Sequence, residues 1–309
     1  MAIHFIGRET FHTKWDNSLP PAIEIDSGDV VVCETEEVTG GQITPESSAA
    51  DLANVDFDRI YPLAGPISVR GAEPGDVLSV EILALRPLDW GWTGVLPTLG
   101  LLPDDFPGPN LHIWDLTNLN YADFKSGIRI PLDPFCGTMG VAPAEPGQHF
   151  VLPPGKFGGN MDIRHLNAGN TLLLPVQVPG ALFSAGDCHA AQGDGEVCVT
   201  GIECPMRFEL RFTVLKGRSI PEPQFICRGP LNSKWEGKGY YCTASVGPDL
   251  FVGAQNAIRY MIDHLVHEYD LTPVEAYMLS SVAVDLKISE IVDAPNWIVS
   301  AYLPFGIFQ

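Results

Sequence analysis

Residues 207–215 read RFELRFTVL, in which Phe208, Leu210, Phe212 and Val214 alternate with Arg207, Glu209, Arg211 and Thr213. A period of two is the signature of a strand with one buried and one wet face. Upstream, TLLLPVQV at 171–178 is a continuous apolar run, as expected of a strand covered on both faces. Further short β-like runs lie at 30–32, 77–82, 128–130, 139–141 and 195–202, the last entered straight from an acidic stretch. Two of them follow turn signals, Ser27-Gly28-Asp29 and Glu73-Pro74-Gly75-Asp76, so the recurring Gly-Asp-Val reads as a repeated way of turning into a strand. The 31 glycines and 27 prolines then become punctuation between many short strands, because 45% hydrophobic residues argue against disorder. The expected class is mainly β.

Helical periodicity is confined to the last third. Ala254, Ala257, Ile258, Met261, Ile262, Leu265 and Val266 recur at three- and four-residue intervals, one apolar stripe. Thr272-Pro273-Val274-Glu275 supplies a cap, a proline at the first helical position and a glutamate three residues after the cap, so a second helix starts there. At 309 residues the chain is long enough for two or more packed units. The expected division is an N-terminal β-sandwich part (1–135), a central barrel-like part (136–220) and a small α/β part (221–309). Residues 89–109, rich in Trp, Gly, Pro and Leu with Trp90 and Trp92 flanking Gly91, read as a long loop of the kind that covers a site.

The formal charge of −20 repels phosphate backbones and anionic lipid surfaces, which excludes nucleic acid and membranes as partners and favours a neutral or cationic small molecule, or a metal. No run of about 18 apolar residues occurs, and the N-terminus lacks a basic region followed by an apolar one. Seven cysteines without a CxxC pair suit reduced thiols. A cytoplasmic location is the expectation.

The chemistry concentrates in two motifs. GDCHAAQGDGE at 186–196 gathers Asp187, His189, Gln192, Asp194 and Glu196, with glycines that let the backbone turn tightly. FGGNMD at 157–162 places Asn160 and Asp162 two apart, on one face if the chain is extended there. Carboxylates and an imidazole grouped this way bind a metal, perform acid–base chemistry, or both.

These motifs, with PFCGTMGVAPAEPG at 134–147, HTKWDNSLPPAIEIDSGDVV at 12–31, GGQI at 40–43 and GPISVRGAEPGDVLSVEIL at 65–83, resemble the acetamidase/formamidase family over most of the chain. The resemblance implies hydrolysis of a short amide to a carboxylate and ammonia. It also implies a mainly β scaffold of jelly-roll and barrel-like β-sandwich character with a small α/β part, assembled as a homo-oligomer, dimer or higher. It gives Cys188 and Cys136 no catalytic role.

Amide hydrolysis needs a strong nucleophile at neutral pH, and a divalent ion that lowers the pKa of bound water from about 15.7 to roughly 7 meets that need. His189 offers the imidazole, with Asp162 and Asp187 as oxygen ligands of a zinc-like ion. Asp194 and Glu196, two apart on a strand edge, share a face, and Glu196 serves as base and proton shuttle. Asn160 and Gln192 donate to the developing oxyanion. Against these stand a buried core histidine, simple turn roles for Asp162, Asp187, Asn160 and Asp194, and a Cys188 thiolate, which its adjacency to His189 on a strand disfavours. Ser47-Ser48 lacks the glycine-rich context of a serine amidase. His264 and His267, with Asp263 and Glu268, read as a solvated helix face rather than a chelate. His12, Trp15, Asp16, Asn17 and Glu34 remain as pocket, packing or turn residues. Two other functions fit the same residues: hydrolysis of another C–N substrate such as guanidine or a ureide, and a non-catalytic β-sandwich module holding calcium.

Overall fold

The computed structural model describes residues 1–229 and 236–309. Its centre is the strand Met206–Leu215, predicted from alternation, which lies between Val30–Thr35 and Val77–Pro87 with antiparallel register on both sides. Phe208, Leu210 and Phe212 are fully buried while Arg211 and Arg207 point outward to Glu81 and Glu34, so the alternation is realised as far as Phe212, beyond which Val214 is only half-buried. Thr171–Pro175 pairs with the far side of Val77–Pro87, and Ile3–Ile6 and Gln224–Ile226 close the two edges of a six-stranded sheet.

A second sheet runs Gly158–Asn160, Phe135–Gly140, Phe183–His189, Leu63–Val69 and Phe11–His12, with Ile23–Ile25 also on Leu63–Val69. The two sheets share one core. Phe183 from the second meets Phe212 from the first edge to face, ring centroids 5.0 Å apart. Leu63–Val69 is buried at every position, as is Phe183–His189. Every backbone group on such a strand must be paired by its neighbours, so its side chains are placed with little freedom. None of the sheets closes into a barrel among the described residues. Both large sheets draw strands from the 1–135 and the 136–220 segments.

The C-terminal part is α/β. Leu250–Tyr269 and Pro273–Ala283 are its helices, and Tyr240–Gly247, Trp297–Pro304 and Asp285–Glu290 form its three-stranded sheet. The Thr272 capping box is complete: Thr272 accepts from the Glu275 amide and Glu275 accepts from the Thr272 amide. Asp249 caps the longer helix through the amides of Phe251 and Val252.

Two expectations about local structure are corrected. Residues 89–109 are not one long loop, because Trp90–Val95 is a strand paired with Asn110–Asp115. Trp92 is buried in it, its indole N–H donating to Glu37 at 2.9 Å, which accounts for a strand through a glycine-rich segment. Residues 195–202 do not form a strand either. Glu196 donates its N–H to the Gly193 carbonyl and Val199 to that of Glu196, so the chain leaves the motif in tight turns.

Candidate active site

The site is built where the strand Phe183–His189 ends. Its last residues place Asp187 and His189 at the sheet's end, and the antiparallel neighbour Phe135–Gly140 brings Gly137 and Thr138 against them. From the next strand out, Gly158–Asn160, the chain turns and delivers Asp162 onto the same spot, both the Met161 and Asp162 amides donating to the Gly137 carbonyl at 3.1 Å. Gly137 is glycine for a steric reason: a Cβ there would sit 2.4 Å from Asp162 Oδ1 and 2.9 Å from the Asp187 carbonyl.

His189 is the hub. Its Nε2 lies 3.1 Å from Glu203 Oε2, 3.4 Å from Asp187 Oδ1 and 3.9 Å from Glu196 Oε1. One ligand atom each from Asp162, His189 and Glu196, and likewise from Asp187, His189 and Glu203, fall within 4.8 Å of one another. Asp187, His189 and Glu203 are buried, and Glu196 is 16% exposed. Asp162, Asp187 and Glu196 all have left-handed backbone, with φ of 49°, 52° and 42°. That conformation is unfavourable for any residue with a Cβ and is tolerated where surrounding structure imposes it, commonly at functional sites.

Packing this much negative charge away from water is costly unless something positive joins it. Burial, reinforced by the Asp187 charge, has Asp162 pushed up to about 7. Burial likewise has Glu203 pushed up to about 7 despite the neighbouring His189. Glu196 is raised well above an ordinary glutamate by burial and by Asp162. Burial on its own lowers an imidazole, but Glu203 and Asp187 outweigh it and hold His189 well above 6.5. Asp162 Oδ1 is buried with no hydrogen-bond partner, and Glu203 Oε2 is buried with only its ion-pair contact to His189 Nε2 at 3.1 Å. Buried carboxylates gathered round a single imidazole, with too few donors to satisfy their oxygens, make a candidate cation site.

The remaining motif residues divide. Asn160 borders the cluster: its Oδ1 accepts from Thr138 Oγ1, which also lies 3.2 Å from Asp187 Oδ2, and its amide nitrogen faces the Tyr61 hydroxyl and the Leu152 carbonyl. Gln192 does not point a free N–H at a substrate, because its Oε1 is 2.8 Å from His189 Nδ1 and its Nε2 donates to the Asp162 carbonyl. Asp194 and Glu196 do not share a face, since the turn between them separates them. The Asp194 backbone docks the C-terminal part, its N–H on Asp285 and its carbonyl accepting from Leu286, beside the buried Arg164–Asp285 ion pair.

Among the other candidates, His12 pairs with Ser184 at 2.7 Å and with the Lys14 carbonyl, and Ser184 has no exposed surface through which a substrate reaches it. Trp15 is core, Asp16 and Asn17 form a turn, and Glu34 pairs with Arg207 on the surface. His264 stacks on Tyr241, and among the described residues no group of three metal-type ligands forms there. Cys188 and Cys136 face each other in the core at 3.5 Å, away from His189 as strand alternation requires. Sequence reading missed Glu203 and Tyr61. Glu203 stands in GIEC at 201–204, and an acid isolated among apolar and small residues was the available signal. Tyr61 has none, lying about a hundred residues from its neighbours.

Matches to known proteins follow the same outline. The family model for the acetamidase/formamidase family matches residues 5–148 and 147–309. The chain belongs to the acetamidase/formamidase family. It is 28% identical to the formamidase of Methylophilus methylotrophus, covering 96% of this chain and 89% of that protein. Among solved structures it is similar to a gamma lactamase from Delftia acidovorans, with TM-score 0.89 and 27% identity over 97% of this chain and 90% of that one. It is similar also to an acetamidase from Bacillus halodurans, with TM-score 0.69 and 32% identity over 97% of both chains. Membership of the acetamidase/formamidase family makes the chain an amidohydrolase of linear amides.

Proposed function

We propose that the chain hydrolyses a short aliphatic amide, of the formamide and acetamide class, to carboxylate and ammonia, with water as nucleophile and a divalent cation, zinc, in the His189 site. The observation that carries this reading is the convergence of Asp162, Asp187, Glu196 and Glu203 on one imidazole, with the buried Asp162 Oδ1 left without a hydrogen-bond partner. The donors fit the group. One imidazole nitrogen with carboxylate oxygens is a zinc-type set, whereas calcium prefers six to eight oxygens, so His189 at the hub argues against the calcium module. Asp162, Asp187 and His189 would hold the ion, with Glu203 as a further carboxylate. Such a cation, when bound, lowers the pKa of water to near neutrality and polarises a carbonyl.

The chain's own groups do the rest. Gln192 keeps the proton on His189 Nδ1 and leaves Nε2 as the ligand atom. Glu196, which like Asp162 keeps partial access to solvent but is not needed to hold the ion, takes a proton from the attacking water and returns it to the leaving nitrogen. Its raised affinity for protons suits that exchange near neutral pH. Asn160 Nδ2 donates to the Tyr61 hydroxyl and the Leu152 carbonyl, which orients Tyr61 and leaves its O–H as the donor to the oxygen that gains charge. Burial and the surrounding acids keep the Tyr61 hydroxyl protonated. The family's amide chemistry also favours this reading over a guanidine or ureide hydrolase. No helix among the described residues is long and apolar enough to cross a membrane. The expected homo-oligomer would cover the exposed apolar groove that Phe251 and Ile288 line.

Ammonia release across formamide, acetamide, propionamide, urea and guanidine, with metal analysis, tests the reading. Removing metal with a chelator is expected to abolish turnover and zinc to restore it. Full turnover by metal-free protein would overturn the metal assignment, and turnover of guanidine alone would overturn the substrate class.

A further inference from the structure

Beside the acid cluster lies a cavity of about 60 Å³, lined chiefly by Val38, Val55, Leu96, Leu99, Leu152 and Trp92. That is room for on the order of four or five waters. Two of its residues join it to the site: the Tyr61 ring lines it while its hydroxyl faces Asn160, and Leu152 lines it while its carbonyl accepts from Asn160 Nδ2.

Most of the polar atoms in its wall are already engaged. Trp92 Nε1 donates to Glu37, and Thr39 Oγ1 donates to Glu37 and accepts from the Ile43 amide. Thr200 Oγ1 donates to the Gly94 carbonyl and accepts from the Gly94 amide. The hydroxyl of Tyr61, turned to the Asn160 side, is what remains. A urea or guanidinium group in this cavity would leave N–H groups without partners, a loss that an aliphatic chain does not incur. Glu37 is itself buried and anchors the wall: it accepts from Thr39, Gly41 and Trp92, so one carboxylate fixes both the 37–43 turn and the indole.

We propose that this cavity is the acyl subsite, so that the preferred substrates carry an apolar acyl group of two to four carbons and formamide is a poor one. The inference rests on the amidase reading above and specifies its substrate. The carboxamide lies at the Tyr61–Asn160 end, against the acids, and the alkyl group extends towards Trp92. Hydrolysis adds one water across the C–N bond, the acyl carbon keeping the oxygen and the nitrogen leaving as ammonia.

The test is kcat/KM for formamide, acetamide, propionamide and butyramide with zinc-loaded protein. Selectivity is expected to rise about four-fold per methylene until the cavity is full, the value of one buried CH₂. Val55→Phe narrows the cavity and is expected to lower the propionamide-to-formamide ratio at least ten-fold, whereas Leu99→Ala widens it and is expected to raise the butyramide-to-acetamide ratio. Ratios cancel any loss of folded enzyme. Hydrolysis of formamide with both ratios unmoved by the two variants would overturn the acyl subsite and leave the amidase reading standing. A wild-type enzyme that hydrolyses no amide in the series would overturn both.

Discussion

Gln192 fixes the tautomer of His189. Its amide nitrogen donates to the Asp162 carbonyl at 3.0 Å, so its Oε1 is the atom facing His189 Nδ1 at 2.8 Å, and Nδ1 must therefore carry the proton. With a cation bound, the lone pair of Nε2 would be free to hold it; without one, the facing acids put a second proton there. The same side chain ties the 186–196 motif to the 157–162 motif, because the carbonyl it holds belongs to Asp162.

Replacing Gln192 by Met keeps much of the volume and removes both bonds. Zinc affinity is expected to fall about 10- to 100-fold, as for loss of a group that orients a ligand imidazole. Competition with a chromophoric chelator measures it; affinity equal to wild type would show that the hydrogen bond is incidental.

Glu196→Gln is expected to retain metal and fold while lowering kcat by about 10²- to 10⁴-fold, the usual contribution of a positioned acid–base group. Asp194→Asn, its neighbour in sequence, is expected to leave kcat within a few-fold, because the Asp194 backbone rather than its carboxylate is engaged by the C-terminal part. A kcat that falls equally in both would sink this division of roles.

How much of this was legible from residues alone differs by element. The strand at 206–215 and both helices follow from spacing and capping, since alternation, an apolar stripe and a Thr–Pro–x–Glu start act locally. The site's membership was partly legible, since His189, Asp187, Asp162 and Glu196 do gather. Its geometry was not, because the period-two argument assumes extended backbone and three of those acids are left-handed. Asp194 and Glu196 part for that reason. Glu203 and Tyr61 enter through tertiary folding: the Glu203 amide and carbonyl pair with Trp92, an element read as loop, and the Tyr61 amide donates to the Val38 carbonyl.

Gly137→Ala places a methyl where Asp162 Oδ1 and the Asp187 carbonyl already lie. Overpacking of a rigid site costs about 1–3 kcal/mol. The acids must move apart, so loss of zinc binding is expected to exceed loss of thermal stability, as calorimetry with and without metal would reveal. A variant that binds zinc normally would show the strands to be more yielding than the backbone hydrogen bonds at Gly137 suggest.

Metal-free protein is expected to lose stability as pH rises from about 5 to 8. Asp162 and Glu203 are held at about 7 in the fold against about 4 in an unfolded chain, so between those values the folded state binds more protons. Stability therefore falls with increasing pH through that window. His189 acts in the same sense, since its raised affinity stabilises the fold below about 6.5 and that contribution is lost as pH climbs through the higher folded value. Zinc bound as proposed would take the place of those protons, and at a thousand times its Kd any ligand specific to the folded state adds about 4 kcal/mol. Tm measured against pH, with chelator and with zinc, should diverge most at the alkaline end, and Asp162→Asn should flatten the chelated curve. Parallel curves for the two conditions would mean that the buried acids are compensated by something other than a cation.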